Sequence, residues 1–353
     1  MKITINGIVC DAKEGANVLQ TARENGLYVP SLCYFPRTGT AGKCRACVAE
    51  VEGMRGLVTT CTTIVQEGMV VRTNSEKAIA AQKMVIDLQL SSGEHDCLSC
   101  QRNGDCELQT AAHFLGIKKP SYDVGERHCD LYDTSSESII KDGTKCVKCN
   151  RCVDACNHVV MHEVLDMGER AHDMRVICDD DLPMGESSCV RCGECMQVCP
   201  TGALVSKAAE GKARSWELKK TRTICPYCGV GCNIDVVTKD GKILYGLGAE
   251  ENWQELPNQG SLCVKGRFGL DYVNSPKRLT KPLVRKNGQL VETTWEEAMA
   301  AAAAGLKKVL DENGPRAIGC LSSAKTSNED NYAMMRFSRG VLKTNNIDHC
   351  ARL

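Results

Sequence analysis

Aromatic residues make up only 4% of this 353-residue chain, too few for a stacking platform that would hold single-stranded nucleic acid. Net charge is missing as well. Lys plus Arg and Asp plus Glu balance at 44 each, so no overall field draws the chain to nucleic acid or an anionic membrane. Residues 1–30 lack the cationic stretch followed by an apolar stretch that marks a secretory leader. No apolar run is long enough to span a bilayer. No G-x-G-x-x-G follows a strand-like segment, so the dinucleotide fingerprint is lacking too. The expectation from these absences is a soluble, cytoplasmic protein of two or three domains with a sizeable core.

Cysteine is what the chain has in excess, with 24 residues. In a reducing compartment that points to metal rather than disulfides. Five are spare: Cys10 and Cys320 in strand patterns, Cys129 and Cys178 in linker-like stretches, and Cys350 near the end. The rest fall into five groups.

The first group is Cys33, Cys44, Cys47 and Cys61. Upstream, ITINGIVCDA reads as a hairpin about Asn6-Gly7, and NVLQTARENG as a helix closed by Gly26. Hairpin, helix and the glycine-rich loop TGTAGKCRAC suggest a β-grasp ferredoxin with a 2Fe–2S cluster, although ten residues rather than the plant-type four separate its first two cysteines. Zinc is the bland alternative, but zinc sites more often use two short knuckles. The second group, HDCLSCQRNGDCELQ, holds Cys97, Cys100 and Cys106 with His95 just ahead. Three thiolates need a fourth ligand, and a neutral imidazole can be one. A surface histidine is the competing reading of His95.

The third and fourth groups repeat one pattern. CVKCNRCVDAC carries Cys146, Cys149, Cys152 and Cys156, and CVRCGECMQVCP carries Cys189, Cys192, Cys195 and Cys199. Both are C-x2-C-x2-C-x3-C, the bacterial ferredoxin run, in which the fourth cysteine of each run serves the other cluster. Cys199 is therefore expected with Cys146, Cys149 and Cys152, and Cys156 with Cys189, Cys192 and Cys195. The fifth group is Cys225, Cys228 and Cys232 in ICPYCGVGC, with Cys263 in LCVKGRFG. Between them KDGKILYGLGAEENWQ reads as strands joined by turns. Lys265, two residues past Cys263, is either a solvated loop residue or a donor to a second cofactor.

On these motifs, residues 1 to about 208 resemble the N-terminal region shared by the large iron–sulfur subunit of complex I, iron-only hydrogenases and NAD(P)-linked formate dehydrogenases. In that family a histidine and three cysteines hold the second cluster, usually with three residues between the histidine and the first cysteine; here only Asp96 intervenes. From Ile224 on, CPYCGVGC and LCVKGRFG resemble the first domain of molybdenum- or tungsten-bis-pterin oxidoreductases, formate dehydrogenases in particular. The resemblance implies a lysine at Lys265 between cube and pterin, and a multidomain α+β and α/β chain. Its parts are a 2Fe–2S β-grasp domain (1–78), a histidine-ligated 4Fe–4S segment (79–120), a two-4Fe–4S ferredoxin domain (137–208), a 4Fe–4S bis-pterin domain (218–275) and the start of a molybdopterin oxidoreductase α/β domain (276–353).

It also implies one 2Fe–2S and four 4Fe–4S clusters, with a Mo- or W-bis(pterin guanine dinucleotide) in the full-length protein. The reaction would be reversible oxidation of formate to CO2. The partner would be a flavin-containing NAD(P)-reducing subunit or a hydrogenase subunit. In formate dehydrogenases the pattern closing this chain, NNIDHCARL, is followed by the cysteine or selenocysteine that ligates the metal. The expectation is a metal ligand immediately after Leu353, encoded by UGA, and no catalytic residue within these 353, which alone would be inactive. His349 and Arg352 would lie near that pocket. The competing function is a stand-alone multi-cluster electron carrier of a hydrogenase or complex I-like assembly. Residues 278–353 read as an incomplete α/β unit: a helix over TWEEAMAAAAAGLKKVL with a Thr294–Glu297 capping box, a buried strand AIGCLSS, and a second helix over NEDNYAMMRFSRGVL. Too few elements remain to cover that strand, so poor packing is expected there.

Overall fold

The computed structural model describes residues 1–123 and 132–350. Two compact bodies divide it: Met1–Lys219 with Ser261–Val264, and Lys220–Gly260 with Lys265–Leu353.

In the first body, β1 (Lys2–Ile5) and β2 (Ile8–Asp11) pair antiparallel about Asn6 and Gly7. Both turn residues have positive φ (53° and 83°), as a two-residue hairpin matching strand twist requires. α1 (Val18–Glu24) starts where Asn17 Oδ1 accepts from Gln20 N at 2.8 Å. β3 (Val48–Val51), β4 (Leu57–Thr59) and β5 (Val70–Arg72) complete a sheet ordered β2-β1-β5-β3-β4, in which β5 lies parallel to β1. Alternate β1 residues Ile3 and Ile5 join Val18, Leu19, Ala22 and Val71 in its core. α2 (Glu76–Ser91) is tied to this sheet by buried Gln82, whose Nε2 donates to Val48 O (2.9 Å) and Thr73 O (3.0 Å). α3 (Glu107–Phe114) packs on α2 over a second core that includes Leu32, Ile86, Leu108 and Val147.

The repeated cysteine runs lie between short strands. β6 (Tyr132–Asp133), β7 (Ile139–Asp142) and β10 (Leu204–Ser206) form an antiparallel sheet ordered β10-β7-β6. Between β7 and β10 come α4 (Arg151–Asp154), a hairpin of β8 (Leu165–Gly168) and β9 (Arg175–Cys178), and α5 (Glu194–Val198). The repeat is also one of backbone shape. Lys148 and Arg191 have φ of 54° and 56°, and Asn150 and Gly193, just before α4 and α5, have 75° and 72°. These left-handed residues turn the chain so that successive cysteines face one volume. Cys178 is not in a linker as its surroundings suggested; it closes β9 and is fully buried.

In the second body, β11 (Lys219–Ile224), whose first residue is counted with the first body, joins β12 (Asn233–Lys239) and β13 (Lys242–Gly248) in a sheet ordered β11-β12-β13. A Cβ on Gly246 would sit 2.3 Å from Gly266 O, so only glycine lets β13 lie against α6 (Val264–Phe268) there. β14 (Leu283–Lys286) and β15 (Gln289–Glu292) form a hairpin about Asn287-Gly288, ahead of α7 (Trp295–Asn313). Thr294 accepts from Glu297 N at 3.3 Å, but the Glu297 carboxylate pairs with Lys286 (2.6 Å); half of the expected capping box forms. The AIGCLSS strand contracts to β16 (Cys320–Ser322), which pairs in parallel with β17 (Ile347–His349) alone among the described residues. The second helix, α8 (Asn328–Arg336), is capped by Ser327 and Asp330. No residue of α7 is buried, and a small core of Ile318, Cys320 and Leu342 sits beneath. Among the described residues no helix is long and apolar enough to cross a membrane.

Candidate metal centres

Cys33, Cys44, Cys47 and Cys61 are all buried. Their sulfurs touch: Cys33 contacts Cys44 and Cys61, and Cys47 contacts Cys61. Hydrogen bonds from Cys44 and Cys61 pull the Cys33 thiol far down, and a bond from Cys61 lowers Cys47. The same contacts push Cys44 and Cys61 up. Leu32 N lies 3.5 Å from Cys44 Sγ, an amide aimed at sulfur.

His95, Cys97, Cys100 and Cys106 line one small cavity of about 30 Å³ with Arg102, Lys145, Thr201 and Gly202. The structure thus brings the candidate imidazole to the three thiols, although His95 Nε2 lies 3.2 Å from Gln89 O. Burial pushes Cys106 up to about 11. Gly202 has no room for a side chain, since its Cβ would fall 2.5 Å from Cys100 Sγ.

The two ferredoxin runs cross. Cys146, Cys149, Cys152 and Cys199 line a cavity of about 450 Å³. Burial raises the Cys152 thiol far above its ordinary value, and the charges of Cys149, Cys146 and Cys199 add to the rise. Burial does the same at Cys195, with Cys192, Cys189 and Cys156, and last Cys199, adding. Lys148 N and Arg191 N each lie 3.4 Å from the sulfur two residues before them, Cys146 and Cys189.

Cys225, Cys228 and Cys232 share a tight loop closed by Cys225 N donating to Cys232 O at 2.8 Å. The Tyr227 hydroxyl donates to Gly269 O, which holds the loop against the end of the helix carrying Lys265. Cys263 is counted with the first body and the other three with the second. Cys129 and Arg352 lie outside the described residues.

No three His, Cys, Asp or Glu side chains among the described residues stand close enough to share one metal ion. An iron–sulfur cluster makes a different demand, because each thiolate binds its own iron around a shared core. Buried thiolates facing one another repel, and apolar surroundings oppose their charge. Iron among them offsets both effects, as bound cations invert local pKa logic. The sets Cys33–Cys61 and Cys146–Cys199, which hold most of the buried thiols, fit clusters in this respect.

Sequence reasoning passed over the charged residues between the cysteines. Arg37, Glu107, Arg151 and Glu194 are joined in two ion pairs, Arg37–Glu194 and Arg151–Glu107 (2.6 Å), each between different cysteine groups. Arg267 is fully buried with Nη1 3.5 Å from Gly246 O. Nothing in the local pattern marked them beyond a charge inside a cysteine loop.

Five family models match in succession: a 2Fe-2S iron-sulfur cluster binding domain at 1–76, the NADH-ubiquinone oxidoreductase-G iron-sulfur binding region at 82–121, a 4Fe-4S dicluster domain at 145–203, the molybdopterin oxidoreductase Fe4S4 domain at 218–275, and molybdopterin oxidoreductase at 278–353. The chain is 35% identical over its whole length to the second G-type component of the NADH-quinone oxidoreductase of Rhizobium meliloti, covering 40% of that protein. These matches are those of the iron–sulfur and molybdopterin-oxidoreductase region found in NADH-quinone oxidoreductase G-like and formate dehydrogenase-like proteins. YrhE of Bacillus subtilis, named provisionally as a formate dehydrogenase, is 33% identical over 394 aligned residues, covering all of the chain and 40% of YrhE. The NADPH-Fe(3+) oxidoreductase alpha chain of Geobacter sulfurreducens is 33% identical, with the same two coverages. The chain thus spans about 40% of the length of these oxidoreductases. A chain in the crystal structure of an NAD+-reducing [NiFe]-hydrogenase in the H2-reduced state is 28% identical with a TM-score of 0.55, over 60% of this chain and 89% of that one. This oxidoreductase region carries 2Fe–2S and 4Fe–4S clusters and a molybdopterin-binding domain.

Proposed function

We propose that the chain is the electron-transfer portion of a formate dehydrogenase, with five clusters held by the nineteen grouped cysteines and His95. The 2Fe–2S cluster sits in residues 1–78, the histidine-ligated cube in 79–120, two cubes in 137–208, and the last in 218–275. The observation that carries the reading is the gathering of thiols, with Cys199 beside Cys146, Cys149 and Cys152, and Cys156 beside Cys189, Cys192 and Cys195. A molybdenum or tungsten pterin, when bound, supplies two-electron oxidation of formate, whose C–H hydrogen leaves as a proton while CO2 is released. The chain's own residues then act on single electrons. Burial of Cys33, Cys44, Cys47, Cys61, Cys149, Cys152, Cys195 and Cys199 limits water at the iron they would hold, and the amides of Leu32, Lys148 and Arg191 offset the added negative charge on reduction, which favours the reduced state. Lys265 is the residue we place between the Cys225–Cys263 cube and the pterin.

A second reading has its own observation. The likeness to a chain of an NAD+-reducing hydrogenase fits a role as an electron carrier in a hydrogenase or complex I-like assembly. A flavin-containing NAD(P)-reducing subunit is the proposed partner in the first reading, a hydrogenase subunit in the second. The full gene product, purified without oxygen, separates them by electron paramagnetic resonance after addition of formate, NADH or hydrogen in turn. Formate alone should reduce one 2Fe–2S and several 4Fe–4S signals. Reduction by NADH or hydrogen with a partner subunit present, and none by formate, would move the chain to the second reading.

A further inference from the structure

Ten residues separate Cys33 from Cys44. This loop leaves its own domain and enters the ferredoxin part of the same body. Arg37, four residues after Cys33, forms an ion pair with Glu194, which lies between Cys192 and Cys195. Both side chains are almost wholly buried, at 2% and 1% exposure. Arg37 Nη1 also donates to Ser261 Oγ at 3.0 Å, two residues before Cys263. Two positions earlier in the loop, the Phe35 ring lies 5.6 Å from the Arg37 guanidinium and 5.7 Å from that of Arg151. Arg151 stands between Cys149 and Cys152, is itself buried, and reaches Glu107 through two bonds of 2.6 and 2.7 Å. Glu107 directly follows Cys106.

We infer that the Cys33–Cys44 loop is a clamp: Phe35 and Arg37 fix the 2Fe–2S domain against both ferredoxin runs and so set the separation of the 2Fe–2S cluster from the cubes. A buried ion pair contributes little to net stability, because desolvation offsets its Coulomb gain. Its value lies in geometry, since a buried charge without its partner is costly and any shifted docking would leave two. Arg suits the task, with a planar fork that stacks on a ring and stays charged. Apolar contacts extend the same seam, because Leu32 and Ala46 of the cysteine loops share one core with Val147 beside Cys146. Electron tunnelling decays steeply with distance, so a fixed separation keeps the transfer rate fixed. Arg37 and Glu194 are positioning residues here, not ligands.

The inference rests on the cluster assignment above, and one experiment keeps their failures apart. The reduced wild-type protein is compared by electron paramagnetic resonance with Arg37→Ala, Arg37→Lys and Glu194→Gln, recording the amount of 2Fe–2S signal and its spin relaxation, which nearby reduced cubes accelerate. A wild-type protein without a 2Fe–2S signal would defeat the cluster assignment. With the signal present, the clamp predicts that Arg37→Ala and Glu194→Gln keep its amount but lose the fast relaxation, and that Arg37→Lys retains part of it. Unchanged relaxation in Glu194→Gln, a variant that leaves the Cys33–Cys44 loop intact, overturns the clamp even where Arg37→Ala fails to assemble.

Discussion

Gly202 shows how much one atom can matter in this chain. A Cβ there would stand 2.5 Å from Cys100 Sγ, closer than side chains come, so the thiol would have to shift. Gly202→Ala is expected to displace the Cys100 thiol and abolish the signal of the cluster proposed at His95, Cys97, Cys100 and Cys106, while the 2Fe–2S signal stays. Electron paramagnetic resonance of the reduced variant is the check, and retention of all signals would count against Cys100 as a ligand. The spare cysteines differ as sharply. Cys350 is exposed, and the Ser323 hydroxyl (3.3 Å) with nearby backbone lowers its thiol, whereas burial pushes Cys178 up to about 11. Alkylation follows thiolate and access. Iodoacetamide should therefore label Cys350 first and spare Cys178 until the chain unfolds, as peptide mass spectrometry would show; labelling of both at one rate would contradict it. The spacing alone carried the ligand expectation, because C-x2-C-x2-C-x3-C leaves few other uses for its thiols. Arg37 and Glu194 were not, because a charge pairing 157 positions away leaves no local pattern.

Short elements depend on what surrounds them. α1 has seven residues and begins on the Asn17 cap; Asn17→Ala should cost about 1 kcal/mol of stability, measured by thermal unfolding. α4 and α5, with four and five residues, are too short to persist alone. Each buries one thiol, Cys152 or Cys195, among apolar and charged neighbours, and on the proposed cluster assignment iron would anchor both turns. Removing iron with a strong chelator should expose amides 151–154 and 194–198 to hydrogen exchange sooner than those of β1 and β5, which rest on an aliphatic core. Equal loss of protection would mean the ferredoxin part folds without metal. The hairpin about Asn6-Gly7 and the first helix could be read directly, since turn chemistry and caps act within a few residues, whereas the Asn287-Gly288 hairpin was not singled out. The Thr294–Glu297 box formed only by half, because Lys286 on β14 took the glutamate.

For the whole chain, the two bodies differ in how well they are filled. The first holds cores built on Ile3, Leu19 and Ile86, while in the second α7 has no buried residue and β15 is exposed throughout. Limited proteolysis of the 353-residue chain should cut first within 283–313 and leave 1–72 intact, as read by mass spectrometry of the fragments. Early cuts within 1–72 would contradict this ranking. Poor packing of the tail was foreseeable, since a parallel strand buried on both faces needs more neighbours than 278–353 can supply.

By itself the sequence determined the chemistry of the sites and the order of the domains along the chain. Cysteine spacing, turn dipeptides and caps act over a few residues and survive without knowledge of the rest. Tertiary structure alone decided which groups meet. Cys199 beside the first run was an expectation carried by a repeat, but Arg37 on Glu194, Arg151 on Glu107 and Gly202 against Cys100 arise only when distant segments pack. Such pairings are set by shape and by the cost of burying a lone charge, neither of which is written in any single stretch of sequence.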